Sequence, residues 1–133
     1  MTHDINIHHE DNHESASSYL LEEIKNLLVN SNRDFSIGLS GGNTPKLTYS
    51  MMAEKFDDLS KTYLWTIDDR WIEEDNDLSN QRMINEYFER TDANILKFEF
   101  TSSTPESDAK KYEDKLKSTI QIFDVAILGM GED

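Results

Sequence analysis

One stretch of the chain, residues 35–49, constrains its fold more than any other. Every second residue from Phe35 to Leu39 is apolar, which is typical of a short β-strand, and small turn-forming residues follow it. Thr44 and Pro45 then form the pattern of a helix N-cap followed by proline at the first helical position. The stretch therefore predicts a strand, a glycine turn and the start of a helix.

The turn, residues 40–44 (the glycine loop), is suited to binding an anion. Gly41 and Gly42 have no Cβ, so the backbone there can take positive φ and let an anion approach bare N–H groups. The predicted helix adds unpaired amides and the positive end of its dipole. Together these features predict a phosphate-binding site.

The glycine loop is not one of the best-known phosphate-binding motifs. It matches neither the Gly-x-x-x-x-Gly-Lys-Ser/Thr loop of nucleotide-triphosphate enzymes nor the Gly-x-Gly-x-x-Gly of dinucleotide folds, so neither function follows. A simpler alternative stays open, in which the small and polar residues only make the turn and cap the helix.

The charge of the chain excludes several classes of partner. Its 133 residues contain 13 Lys and Arg against 27 Asp and Glu, a formal net charge of −14. A surface of this sign repels a phosphate backbone, so we expect neither nucleic acid nor an anionic membrane as a partner. A small phosphate ester can still bind through local N–H dipoles and one or two cations.

The chain contains no cysteine, which excludes disulfides, thiolate chemistry and cysteine-bound zinc. Its N-terminus lacks the cationic start and apolar run of a signal peptide, and no later stretch has the length and apolarity of a membrane span. We therefore expect a cytoplasmic protein.

The N-terminal segment predicts a short strand in polar surroundings. Ile5 and Ile7 alternate with polar neighbours, which indicates a strand toward a sheet edge. The four histidines of the chain lie around it without the spacing of a known metal site, so we expect a solvated segment. They are His3, His8, His9 and His13.

Strands and helices alternate along the rest of the chain. Apolar runs predict further strands over residues 63–67, 95–100 and 123–128, and apolar residues at helical spacing lie between them. Thr104 and Pro105 predict a second N-cap followed by an early proline. The alternation predicts an α/β fold with a doubly wound, mainly parallel sheet and helices on both faces, a Rossmann-like three-layer arrangement.

Charged residues directly follow the strand predicted over residues 63–67. Residues 68–70 (the Asp-Asp-Arg turn) lie where an open α/β sheet has its ligand crevice, beyond the carboxyl end of a strand. The glycine loop lies at the same end of its own strand. Simpler alternatives stay open: Asp68 could cap a turn, Arg70 could pair with Glu73 or Glu74, and residues 79–80 could only cap the next helix.

The last residues, 123–133, predict an apolar strand followed by a glycine turn, without the helix needed to cover that strand. We therefore expect a chain truncated at the C-terminus, with residues 1–133 forming a single incomplete α/β domain.

Three motifs in this order resemble the family of 6-phosphogluconolactonases and glucosamine-6-phosphate isomerases or deaminases. They are Leu-Ser-Gly-Gly-Asn-Thr-Pro at residues 39–45, Asp-Asp-Arg at 68–70 with Ser-Asn at 79–80, and Leu-Gly-Met-Gly-Glu-Asp at 128–133. The resemblance covers nearly the whole chain. In the family the third motif continues with Gly-His, and this histidine is the catalytic base.

The resemblance implies a site for a sugar phosphate. It places the glycine loop around the substrate, with backbone amides toward the phosphate, through Ser40, Gly41, Gly42, Asn43 and Thr44. Asp68 and Arg70 would line the reaction centre, Arg70 as an anion-binding cation. Asp133 would orient the histidine of the family motif. The resemblance implies no metal and no cofactor.

Three hypotheses follow from the resemblance. Arg70 favours the lactonase branch, because the deaminases usually show Asp-Glu-Tyr at this point, so we expect hydrolysis of 6-phospho-D-glucono-1,5-lactone in the pentose phosphate pathway. The fragment alone is expected to be inactive without the histidine. The alternatives are a glucosamine-6-phosphate deaminase or isomerase, and a non-catalytic module that binds a sugar phosphate.

Overall fold

The computed structural model of the chain describes residues 4–130. Its helices and strands follow in the order α1 (His13–Val29), β1 (Phe35–Leu39), α2 (Lys46–Lys55), β2 (Thr62–Thr66), α3 (Asn80–Phe88), β3 (Asn94–Leu96), α4 (Pro105–Thr119) and β4 (Val125–Ile127). No helix within residues 4–130 combines the length and apolarity that crossing a membrane requires.

The described strands form one four-stranded sheet in the order β3-β2-β1-β4, and every pairing is parallel. In the centre of the sheet, Ile37 lies opposite Leu64 on one side and Val125 on the other. The predicted α/β fold with a parallel sheet is confirmed. Because the strands are parallel, the glycine loop after β1 and the Asp-Asp-Arg turn after β2 lie at the same edge of the sheet.

Helices cover both faces of this sheet, as the alternation of elements predicts. The apolar core against α1, α2 and α3 consists of residues that are at most 8% exposed: Leu21, Ile24, Phe35, Ile37, Leu39, Tyr49, Met52, Leu64, Met83, Ile84, Phe88 and Ile127. Trp65 follows Leu64 in β2 and so points to the opposite face. There it lines a cavity of about 500 Å³ together with Tyr112 and Leu116 of α4.

Gly38 allows Trp65 to lie flat against β1. A Cβ built on Gly38 would lie 2.5 Å from the indole Cζ2 atom, which is too short for any carbon contact. The indole also stacks on Phe123, with ring centroids 4.3 Å apart.

A polar cluster holds β4 against β1. The Asp124 carboxylate accepts a hydrogen bond of 2.8 Å from the backbone N–H of Ser36 and is paired with the Arg33 guanidinium. The Ser36 hydroxyl accepts from the Asp124 N–H at 3.1 Å and donates to the Ile122 carbonyl at 2.5 Å. These bonds join residues 86 to 91 positions apart and fix the register of the last strand.

The strand predicted around Ile5 and Ile7 is wrong. These side chains are 87% and 77% exposed, and the segment has no regular secondary structure. A strand needs a neighbour for its backbone hydrogen bonds, and no strand of residues 4–130 pairs with this segment. Two isoleucines that alternate with polar residues do not form a strand here, because no neighbouring strand among residues 4–130 pairs with them.

The two Thr-Pro pairs behave differently. Thr104 Oγ1 accepts from the N–H of Ser107 at 3.1 Å, so the predicted cap of α4 is confirmed. Thr44 is not the N-cap of α2, because Pro45 is already helical (φ −80°, ψ −10°) and occupies the cap position. Proline has no side-chain acceptor, and α2 therefore begins without a side-chain cap.

Candidate active site

The two glycines of the glycine loop are needed for different reasons. Gly42 has φ of +95°, a conformation that favours glycine, and a Cβ built there would meet no atom within 4 Å. Gly41 does not have positive φ, so the conformation predicted for this glycine is wrong. A Cβ at Gly41 would lie 2.1 Å from Asn80 Oδ1, so here glycine permits the close approach of another side chain.

Two side chains hold the ends of the glycine loop. The Tyr49 hydroxyl donates to the carbonyl of Ser40 at 2.8 Å, and burial raises the pKa of Tyr49 to about 12. At the other end, His13 Nε2 lies 2.7 Å from the carbonyl oxygen of Thr44. The Ser40 hydroxyl is buried and has no hydrogen-bond partner in the part of the chain that the structure describes.

The helix start behind the loop offers free donors. In α1, α3 and α4 a side-chain oxygen accepts a hydrogen bond from the first turn, but α2 has no such cap. Lys46 is the first residue of α2, and its Nζ lies 3.2 Å from the amide oxygen Oδ1 of Asn43. The sequence analysis did not single out this lysine. Its place just after the proline, at the start of the predicted helix, could have identified it as a candidate anion-binding residue.

In the Asp-Asp-Arg turn, the two aspartates have different surroundings. The Asp69 carboxylate accepts from the backbone N–H groups of Asn80 at 2.7 Å and Gln81 at 3.0 Å, so it binds the start of α3. Asp68 is exposed, and its carboxylate has no hydrogen bond to any residue within 4–130. The Asp68 carbonyl oxygen accepts from Thr66 Oγ1 at 2.6 Å. The sequence analysis had offered a capping role as an alternative for Asp68. In the structure it is Asp69 that has such a role, at the start of α3.

Arg70 is held by neutral oxygens. Its Nη1 lies 3.2 Å from Asn80 Oδ1 and 3.3 Å from the carbonyl of Leu78. The alternative pairing with Glu73 or Glu74 is wrong, since Arg70 forms no salt bridge among the described residues. Because its partners are neutral amide oxygens, this guanidinium can still pair with an anionic ligand.

Asn80 joins the glycine loop to the Asp-Asp-Arg turn. Its Nδ2 donates to the carbonyl of Asp68 at 3.0 Å, its Oδ1 accepts from Arg70, and its side chain lies against Gly41. It is only 6% exposed. The predicted capping by residues 79–80 is confirmed for Ser79, whose Oγ accepts from the N–H of Arg82 at 3.1 Å. The bridging role of Asn80 was missed.

Trp71 ties the same turn to the other face of the sheet. Its Nε1 donates to Asp108 of α4 at 3.0 Å, and its ring lies edge-on to Phe100. Asp108 is 1% exposed and also accepts from the hydroxyl and the N–H of Thr101. The hydrogen bonds from Thr101 and Trp71 lower the pKa of Asp108 to about 2. The turn that carries Arg70 is therefore fixed to both α3 and α4.

Asp133, the third predicted catalytic residue, lies outside the described residues, as does His3. The strand before it, β4, lies next to β1, with Ile127 opposite Leu39. Within residues 4–130 no three His, Asp or Glu side chains are grouped so as to hold a metal ion.

Comparison with known proteins gives consistent results. The sequence pattern of the family described as "Glucosamine-6-phosphate isomerases/6-phosphogluconolactonase" matches residues 8–133. A 6-phosphogluconolactonase of Synechocystis sp. is 34% identical over 109 residues, which cover 74% of this chain and 45% of that protein. One from Thermotoga maritima is 34% identical over 114 residues, covering 84% of this chain and 51% of the relative. The chain thus spans about half the length of these relatives.

Solved structures show the same likeness. The crystal structure of a 6-phosphogluconolactonase from Shewanella baltica superposes with a TM-score of 0.83 at 30% identity, covering 92% of this chain and 55% of the other. The corresponding structure from Thermotoga maritima has a TM-score of 0.78 at 31% identity, covering 86% and 56%. Since the family pattern extends over nearly all of its residues, the chain belongs to the glucosamine-6-phosphate isomerase/6-phosphogluconolactonase family.

Proposed function

We propose that the protein hydrolyses 6-phospho-D-glucono-1,5-lactone to 6-phosphogluconate. The observation that carries this proposal is the contact through Asn80, which brings the glycine loop and the Asp-Asp-Arg turn together at one edge of the sheet. A donor-rich loop and a guanidinium beside it are suited to one small ligand with a phosphate at one end and a reactive carbonyl at the other. Relatives of this chain bear the name of the lactonase.

In this proposal the phosphate binds at the glycine loop. Ser40, Gly41, Gly42, Asn43 and Thr44 supply backbone N–H groups, and the uncapped start of α2 adds its own. The Ser40 hydroxyl, which has no partner within residues 4–130, is a further donor. Lys46 contributes a cation, whose Nζ is anchored on the neutral amide oxygen of Asn43.

The reaction centre of the proposal lies at Asp68 and Arg70. Water attacks the lactone carbonyl and gives a proton to the general base. The carbon–oxygen bond of the ring then breaks, and the ring oxygen takes that proton and leaves as a hydroxyl group. The Arg70 guanidinium stabilises the oxyanion that forms, and the exposed Asp68 carboxylate orients the water. Asp133 orients the histidine that follows it in the family motif, and that histidine acts as the general base.

We also propose that residues 1–133 form one incomplete α/β domain. The reaction takes place in the cytoplasm, which the absence of cysteine supports, and the ligand is a small sugar phosphate lactone. Neither nucleic acid nor a membrane takes part, in keeping with the net charge of −14.

The test uses the protein at its full natural length. We expect it to hydrolyse 6-phosphogluconolactone faster than the spontaneous reaction and to release no ammonia from glucosamine 6-phosphate. Ammonia release would support the deaminase instead. Binding of 6-phosphogluconate without turnover of either substrate would support a binding module and refute the lactonase.

A further inference from the structure

His13 connects α1 to the glycine loop. It is the first residue of α1, its side chain is exposed, and its Nε2 lies 2.7 Å from the carbonyl oxygen of Thr44, which is 31 positions later in the chain. A carbonyl oxygen only accepts hydrogen bonds, so Nε2 carries the proton and donates it. His13 is thus solvated, as predicted for this segment, but it also makes a specific contact that the sequence did not predict.

We infer that His13 is a positioning residue for the phosphate group of the substrate. By binding the Thr44 carbonyl, it holds the glycine loop in the conformation that presents N–H groups to the phosphate. This inference rests on the proposed function, because it names a residue that supports the same phosphate-binding site.

The glycine loop needs an anchor at this end. Its first residue, Ser40, is held by the Tyr49 hydroxyl, but residues 42–44 are exposed and include Gly42, which has the widest conformational freedom. The helix that follows has no side-chain cap to order its start. Without the bond from His13, the Thr44 carbonyl becomes free to turn, and a carbonyl oxygen near a bound phosphate repels it.

The bond is not needed for α1 itself. The N-cap of that helix is Asn12, whose Oδ1 accepts from the N–H of Ser15 at 2.8 Å, and this cap does not involve the imidazole. Loss of the imidazole should therefore leave α1 in place and change only the glycine loop. This separation makes the role of His13 testable without loss of the fold.

The experiment compares His13→Ala with His13→Gln in the protein at its full natural length. The amide nitrogen of glutamine can replace the Nε2 donor. We expect His13→Ala to raise KM for 6-phosphogluconolactone about three- to tenfold, the range for loss of one hydrogen bond, with kcat unchanged. His13→Gln should restore KM, and unphosphorylated gluconolactone should show no change with either variant.

His9→Ala is the matched control, because His9 is an exposed histidine of the same segment and makes no hydrogen bond to residues 4–130. An equal rise in KM with unphosphorylated gluconolactone would overturn the inference, as would a fall in kcat or an unchanged KM. A glutamine variant that behaves like the alanine variant would overturn it too.

A second measurement separates this inference from the proposed function. Inorganic phosphate is titrated while the amide NMR signals of Gly42, Asn43 and Thr44 are followed. Weaker binding by His13→Ala, restored in His13→Gln, supports the inference even if the natural protein hydrolyses no lactone. Hydrolysis by the natural protein with phosphate binding unaffected by either variant refutes the inference alone, and absence of both hydrolysis and phosphate binding refutes both proposals.

Discussion

Substituting Gly41 by alanine should destabilise the protein through its contact with one side chain. The new Cβ would lie 2.1 Å from Oδ1, 2.6 Å from Cγ and 2.8 Å from Nδ2 of Asn80. Asn80 is only 6% exposed and is held by Asp68 and Arg70, so it cannot turn away without losing both hydrogen bonds. At about 1 kcal/mol for each bond, Gly41→Ala should lower the free energy of unfolding by about 2 kcal/mol.

A double-mutant cycle measures this coupling. Urea unfolding of the protein at its full natural length gives the free energy of unfolding for Gly41→Ala, Asn80→Ala and the double variant. Asn80→Ala removes the Oδ1, Cγ and Nδ2 atoms, which are the nearest neighbours of the Cβ at position 41. In that background Gly41→Ala should cost less than about 0.5 kcal/mol.

Gly42→Ala is the control for this cycle. Its cost arises from φ of +95° and not from a contact, so it should be about 1–2 kcal/mol whether or not Asn80 is present. The reasoning is refuted if Gly41→Ala costs the same in both backgrounds, or if it leaves stability unchanged where Asn80 is intact.

Three further predictions concern other parts of the molecule. Gly38→Ala places a Cβ 2.5 Å from the Trp65 ring and should lower the free energy of unfolding by about 1–3 kcal/mol in urea titrations. Asp108 has a pKa of about 2 against a usual 3.8, so the stability it contributes is complete above about pH 4 and is lost as the pH falls toward 2; acid unfolding of Asp108→Asn should lack that loss. Arg70→Ala should reduce kcat/KM for 6-phosphogluconolactone about 100-fold or more, because the guanidinium that stabilises the oxyanion is lost. Arg90→Ala, at an exposed arginine, is the control and should change kcat/KM less than about twofold. Comparable losses in the two variants would contradict the role of Arg70.

The parallel sheet and the place of the glycine loop could be predicted because both depend on local patterns. The apolar alternation of β1 and the dense apolar run of β2 are each read within a few residues, and the alternation of strands and helices leaves few topologies. Once the strands are parallel, the ends of β1 and β2 meet at one edge without further information. The shared location of Gly41 and Arg70 follows from the order of elements.

The contacts that complete this edge could not be predicted in the same way. His13 and Thr44 are 31 positions apart, and no periodicity connects them. Asp68 and Asp69 are identical in type, and only the path of the backbone after β2 decides that Asp69 binds the start of α3. The bridging role of Asn80 likewise depends on how closely α3 approaches the glycine loop, which follows from tertiary packing.

The central position of β1 has a consequence for how the protein is made. One neighbour of β1 is β2, which follows it in the chain after a single helix. The other neighbour is β4, which is held by the hydrogen bond between Asp124 and Ser36, 88 positions apart. Contacts between such distant residues raise the contact order and slow folding, because a long loop must close before they form. During synthesis on the ribosome, the strand that carries the glycine loop therefore acquires its second flank only after nearly all of these residues have been translated.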